Sequence, residues 1–173
     1  MTKIRIPALV KSILFTIAAS IFIANNAIAK TQLGLAIEDI LNVDYSAFAT
    51  ESDTQKKQGA SCISSVVYGL KQLDFECSYQ NFRIYKNFFK SSSQPLILGG
   101  TPFDKRGLIL YSPAHFAALY EDTNNNQVVD ENDTIIHAYF HPVKITTIRE
   151  WLEQDVMTPV KFVKLDSSLN CPK

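Results

Sequence analysis

The sequence carries no surplus of charge: 17 Lys and Arg oppose 17 Asp and Glu over 173 residues. Without a basic field, and with aromatics at only 11%, it argues against a nucleic-acid binder. It also lacks a long greasy run. The most apolar stretch, Ile13 to Ala24, falls short of the roughly 20 residues that a membrane-spanning helix needs. Internal repeats, low-complexity tracts and long linkers are missing too, so one domain is expected. Cysteine is scarce at three, an odd number that cannot pair completely within one chain. Histidine is equally scarce, and any imidazole chemistry must draw on His115, His137 and His141.

What the sequence does have begins at its start. Lys3, Arg5 and Lys11 stand without an acid, the short apolar run follows, and Ala27-Ile28-Ala29 precedes Lys30. A positive start, a greasy middle and an A-x-A ending describe a secretory signal over residues 1–29; an uncleaved anchor is the other reading. No cysteine stands at the junction to take a lipid. Loss of three cations and no acid leaves residues 30–173, a 144-residue domain of net charge −3, expected in the periplasm or outside the cell. A chain of that length buries about two-thirds of its unfolded surface without help from disulfides.

Along that domain, Leu33, Ala36, Ile37, Ile40 and Leu41 form a helical stripe within residues 32–50, and the polar stretch 51–59 reads as a loop. Ile63, Val66, Val67, Leu70 and Leu73 mark the strongest helix, over 61–73, with Ser61 as its N-cap and Cys62 in its first turn. A second helix-like stretch covers 82–89, and Ser91 to Ser93 and Gly99-Gly100 punctuate the loop region after it. Thereafter the period shortens. Residues 108–111, 115–120, 134–140 and 160–165 read as strands, and 145–154 as a short helix. Helices first and a mainly antiparallel sheet after them make an α+β domain.

A cysteine in the first turn of a helix feels unpaired N–H groups and the positive end of the macrodipole, which favour a thiolate. The same N–H groups suit the oxyanion that forms when a thiolate attacks an amide. An imidazole is the natural partner, with a third polar group to fix its tautomer. His115 opens one strand and His137 lies on the next; their rings share a face only if paired residue numbers have an even sum. Other readings stay open: Cys62 as a small buried hydrophobe, or Cys62 paired with Cys77.

The order of these pieces resembles the NlpC-type papain-like peptidases of bacterial cell walls. It rests on Cys62-Ile63-Ser64-Ser65-Val66-Val67, Gly107 to Tyr111, His115 to Tyr120, Ile135-Ile136-His137-Ala138, and a tail with Val143 to Ile145, Trp151-Leu152 and Val160 to Val163. It spans about residues 55–166 and departs from the family pattern at Ser61, Ser64, Ala117 and Asp104-Lys105-Arg106. The resemblance implies a papain-like fold with Cys62 as nucleophile, His115 as general base and His137 as the group that orients His115. His141 matches nothing in the family motif. A free Cys62 leaves Cys77 and Cys171 as the expected disulfide, with a link between chains through Cys171 as the other reading.

One motif stands apart. Residues 122–133 place Asp122, Asn124, Asn126, the Val128 carbonyl, Asp130 and Asp133 at positions 1, 3, 5, 7, 9 and 12 of a twelve-residue loop. Oxygens at that spacing suit a structural calcium ion, as in EF-hand-type loops, with Gln127 where Gly is usual and Asp133 where Glu is usual. A solvated Asn/Asp turn explains the same residues without an ion. No cofactor or metal is expected in catalysis. The expected function is an exported cysteine hydrolase that cleaves amide bonds, in peptidoglycan stem peptides above all, with an inhibitor protein as a further partner. The alternatives are a non-catalytic periplasmic binding or immunity-type protein with structural cysteines, and a calcium-stabilised interaction module.

Overall fold

A computed structural model describes residues 28–78, 82–113, 115–154, 159–166 and 169–171. Apart from Ile28 and Ala29, the expected signal segment 1–29 lies outside the described residues. The protein is an α+β structure whose described helices pack on a mainly antiparallel sheet.

The first elements are β1 (Ala29–Lys30), α1 (Gln32–Glu38), α2 (Glu51–Gln55) and α3 (Cys62–Gln72). After them come α4 (Phe82–Ser92), β2 (Gln94–Pro95), β3 (Thr101–Pro102), β4 (Leu108–Tyr111) and β5 (Phe116–Asp122). The chain then adds β6 (Val128–Val129), β7 (Thr134–His137), β8 (Lys144–Thr147), α5 (Ile148–Gln154) and β9 (Lys161–Lys164). The main sheet runs β2-β9-β4-β5-β7-β8, with β1 paired to β5, and β3 and β6 form a separate ribbon.

Period-two alternation gives this sheet two apolar faces. Ile109, Tyr111, Phe116, Ala118, Tyr120 and Ile136 lie under α1, α3 and α4, against Leu33, Ile37, Ile63, Val66, Val67 and Phe89. Leu108, Leu110, Ala117, Leu119 and Ile135 point the other way, against Ile148 and Trp151 of α5. The two faces explain why β5 reads as an almost unbroken apolar run. Gly69 lets α3 approach α1 closely, since a methyl group there would stand 2.5 Å from Ile37 Cγ1 and 3.0 Å from Leu33 Cδ1.

The helix over 61–73 is present and begins as expected. Ser61 Oγ accepts the Ser64 N–H at 3.1 Å, while the Ser61 N–H donates to Ser64 Oγ at 2.8 Å. Other boundaries differ. The 32–50 stripe yields a helix only to Glu38, because the chain is then captured by residue 143: the Asn42 N–H bonds the Val143 carbonyl, and the Val143 N–H bonds that of Val43. Residues 51–55, read as loop, are helical through a capping box of Thr50 with Asp53. The strand from 134 stops at His137, and the helix expected from 145 begins at Ile148. Before it, Ile145, Thr146 and Thr147 pair with β7, and Thr147 caps α5 reciprocally with Glu150 at 3.1 Å.

Candidate active site

The described site lies at one end of the sheet, where β5 starts, β7 stops and α3 begins. The β5–β7 register pairs Ala118 with Ile136 and Leu119 with Ile135, an even sum, so His115 and His137 share parity. Their rings meet: His115 Nε2 lies 2.9 Å from His137 Nδ1, and both residues are buried. His115 also packs against Tyr139, with ring centres 4.5 Å apart, and against Trp151 at 5.8 Å.

Cys62 is the first residue of α3 and the one free cysteine among the described residues; Cys77 is bonded to Cys171. The Cys62–Cys77 pairing that sequence left open is therefore not the one formed. The backbone N–H of Phe116, one peptide beyond His115, bonds the Cys62 sulfur, and the N–H groups of Ile63 and of Cys62 itself add to it. The N–H that holds the sulfur thus belongs to the residue next to His115, whose own ring packs on the Trp151 face of the sheet. No hydrogen bond joins thiol and imidazole: His115 Nε2 is taken by His137, and His115 Nδ1 is buried with no hydrogen-bond partner.

Burial decides the ionisation of all three groups. It pushes the Cys62 thiol up to about 11 against the pull of the three N–H groups. That overturns the expectation that the helix start makes a thiolate here: the residue is 7% exposed, and desolvation outweighs the dipole. Burial also lowers His115 to about 3, with the His141 charge adding, and His137 to about 2, with His115, His141 and Lys144 adding. At rest the thiol and both inner imidazoles are neutral.

Further residues surround the site. Tyr45 stands near enough for the Cys62 and Tyr139 charges to raise its phenol beyond what burial does. Its backbone is fixed next to α3 by a bridge to Ala60. Phe140, 76% exposed and at a φ of 52°, packs between Tyr45 (5.4 Å) and Tyr139 (4.6 Å) and covers this end of the sheet. Tyr139 and His141 follow His137 at a spacing of two, the one signal in the sequence that pointed toward them. No comparable signal marked Tyr45.

The 122–133 loop lies at the opposite end of β5. Asp122 and Asp133 are fully buried. Asp122 accepts the N–H groups of Asn126 and Gln127 at 3.2 and 3.0 Å; Asp133 accepts those of Thr123 and Asp130 at 3.2 and 2.9 Å. The amides of Asn124 and Asn126 both donate to Asp130 at 2.7 Å. Gln127 adopts a φ of 64°, the left-handed conformation that glycine usually supplies. Val128, whose carbonyl completes the expected ligand set, lies in β6. The loop's side-chain oxygens are thus engaged by its own N–H groups, and no group of three or more His, Cys, Asp or Glu among the described residues is arranged to hold a metal. Burial, with the charges of Asp130 and Asp122 adding, pushes the Asp133 carboxyl up to about 6.

Comparison with known proteins gives no family: no family model, curated protein or solved structure matches the chain.

Proposed function

We propose that the protein is an exported cysteine hydrolase of papain-like, NlpC-type fold acting on amide bonds, with peptidoglycan stem peptides as substrate. The observation that carries this reading is the His115–His137 contact. It engages Nε2 of His115 and leaves Nδ1 buried and unpartnered, one residue from the N–H group that holds the Cys62 sulfur. A base so held accepts the thiol proton on Nδ1 as sulfur attacks the carbonyl, and returns it to the leaving amine. The N–H groups of Cys62 and Ile63 then stand where the oxyanion develops. Water releases the acyl group from sulfur, completing the cycle. Because the resting pair is neutral, the proton moves during attack and not before it. The Cys77–Cys171 bond supports residence in an oxidising compartment. Among the described residues no helix is long and apolar enough to cross a membrane.

The decisive experiment is digestion of purified sacculi with the wild-type chain and with Cys62→Ala. Wild type should release peptide fragments and the variant none; equal release by both overturns the assignment. A second reading, a non-catalytic periplasmic binding protein, is favoured by one observation, the burial of Cys62 as a neutral thiol. It requires wild type and variant to be equally inert.

For the 122–133 loop we propose a structural calcium ion held by Asp122, Asn124, Asn126, Asp130, Asp133 and the Val128 carbonyl. Like charges crowded at Asp133 support it, since a divalent cation offsets their repulsion. Its place between β5 and β7 would tie together the strands that carry His115 and His137.

A further inference from the structure

Three imidazoles stand in a row at the site. His115 Nε2 lies 2.9 Å from His137 Nδ1, the His137 ring meets that of His141 at 4.8 Å and 89°, and His141 Nδ1 lies 2.8 Å from the Pro142 carbonyl. Burial declines along the row, from complete at His115 and His137 to partial at His141.

The hydrogen bonds give the row a direction. A carbonyl oxygen only accepts, so neutral His141 carries its proton on Nδ1 and a lone pair on Nε2. At the other end, a base that takes the thiol proton on Nδ1 must carry hydrogen on Nε2. His115 therefore donates to His137 Nδ1, and His137 must hold its own hydrogen on Nε2. That nitrogen and His141 Nε2 are both buried with no hydrogen-bond partner, and the two rings meet edge-to-face.

We propose that His141 is a positioning residue: it receives the Nε2–H edge of His137 and so locks the tautomers of both inner rings, keeping the lone pair of His115 on Nδ1. The inference rests on His115 as the base of the proposed hydrolase and extends it to a residue the family motif does not contain. Two other groups bear on the row. Lys144 on β8 places its charge near His137, and Tyr139 stacks on His115 without a part in the hydrogen-bonded sequence.

The test reads tautomers directly, by long-range ¹H–¹⁵N correlation on the full chain labelled at histidine nitrogens, near pH 8. Wild type should show Nε2–H at His115, Nε2–H at His137 and Nδ1–H at His141. His141→Ala should convert His137 to two exchanging tautomers, and His141→Gln, which supplies an amide oxygen, should restore one. Carbamidomethylation of Cys62 should slow in proportion to the misdirected fraction, about twofold for an equal mixture, in Ala and not in Gln. A wild-type His137 protonated on Nδ1, or a single unchanged tautomer in His141→Ala, overturns the proposal. Loss of the hydrolase reading shows differently, as sacculus digestion that survives Cys62→Ala while the tautomers stand as described.

Discussion

Two buried neutral histidines make this protein acid-sensitive to a calculable degree. His115 and His137 are 0% and 1% exposed, and burial holds them at about 3 and about 2, against an ordinary value of 6.5. A group whose folded value is depressed contributes stability that is fully present above 6.5 and lost as pH falls, since the unfolded chain then takes up protons that the folded chain refuses. Between pH 7 and pH 5 each histidine costs about 2 kcal/mol, at 1.36 kcal/mol per proton and pH unit, or about 4 kcal/mol for the pair. Asp133 works in the opposite sense. Its folded value of about 6 lies above the ordinary 3.8, so its contribution is greatest in acid and fades as pH rises; over the same interval it returns about 1 kcal/mol. The net loss, about 3 kcal/mol, is a large part of the 5–15 kcal/mol typical of a domain. Urea unfolding in EDTA at pH 7, 6 and 5 measures it, with the buried Trp151, the only tryptophan, as fluorescent probe. Asp133→Asn should steepen the loss toward 4 kcal/mol, and His115→Asn with His137→Asn should turn it into a gain of about 1 kcal/mol. A loss below about 1 kcal/mol in Asp133→Asn refutes the neutral, buried pair.

Cys62, with its thiol at about 11, should react with iodoacetamide at pH 8 at least tenfold more slowly than an unfolded cysteine, and its rate should climb toward pH 11; a plateau between pH 5 and 8 would mean a resting thiolate–imidazolium pair. Gly69→Ala should lower Tm by several degrees in a thermal scan, because crowding Ile37 and Leu33 costs about 1–3 kcal/mol, more than the gain of about 1 kcal/mol in helix propensity; an unchanged or higher Tm contradicts the close α1–α3 approach. Millimolar calcium should raise Tm in the wild type and not in Asp133→Asn, by the equivalent of about 1.4 kcal/mol at ten times Kd; equal curves in EDTA and calcium contradict an ion in the 122–133 loop.

Legibility from sequence followed the range of the forces involved. Local patterns read well: the Ile63-Val66-Val67-Leu70 stripe and the Ser61 cap are within one helix turn of each other, and α3 formed from them. The apolar runs at 108–111 and 115–120 likewise became the central strands, the second as 116–122. Errors came where a cap or a distant partner outweighed periodicity. Thr50 with Asp53 and Thr147 with Glu150 carry the spacing of a capping box, and each begins a helix where hydrophobic spacing alone gave a loop or an earlier start. The shortening of α1 depends on Val143, about a hundred residues away, and no local signal contains it.

The site divides along the same line. That His115 and His137 can share a face is a matter of parity, which sequence poses and only register answers; an even sum answered it. The ionisation of Cys62 is a different kind of question. Its position at a helix start was legible, and from that position alone the dipole and the first-turn N–H groups favour an anion. Whether an anion survives depends on its enclosure, and here the sulfur is buried against the Phe116 N–H of β5 with Tyr45 nearby, brought in by a strand and a loop. Desolvation acts on the full ionic charge, whereas the N–H groups supply only partial ones, so enclosure reverses the sign that the helix sets. The same enclosure keeps the histidines uncharged, and a neutral imidazole is the form of histidine that accepts a thiol proton. Sequence can therefore nominate the pair, while its charge state at rest belongs to the tertiary fold.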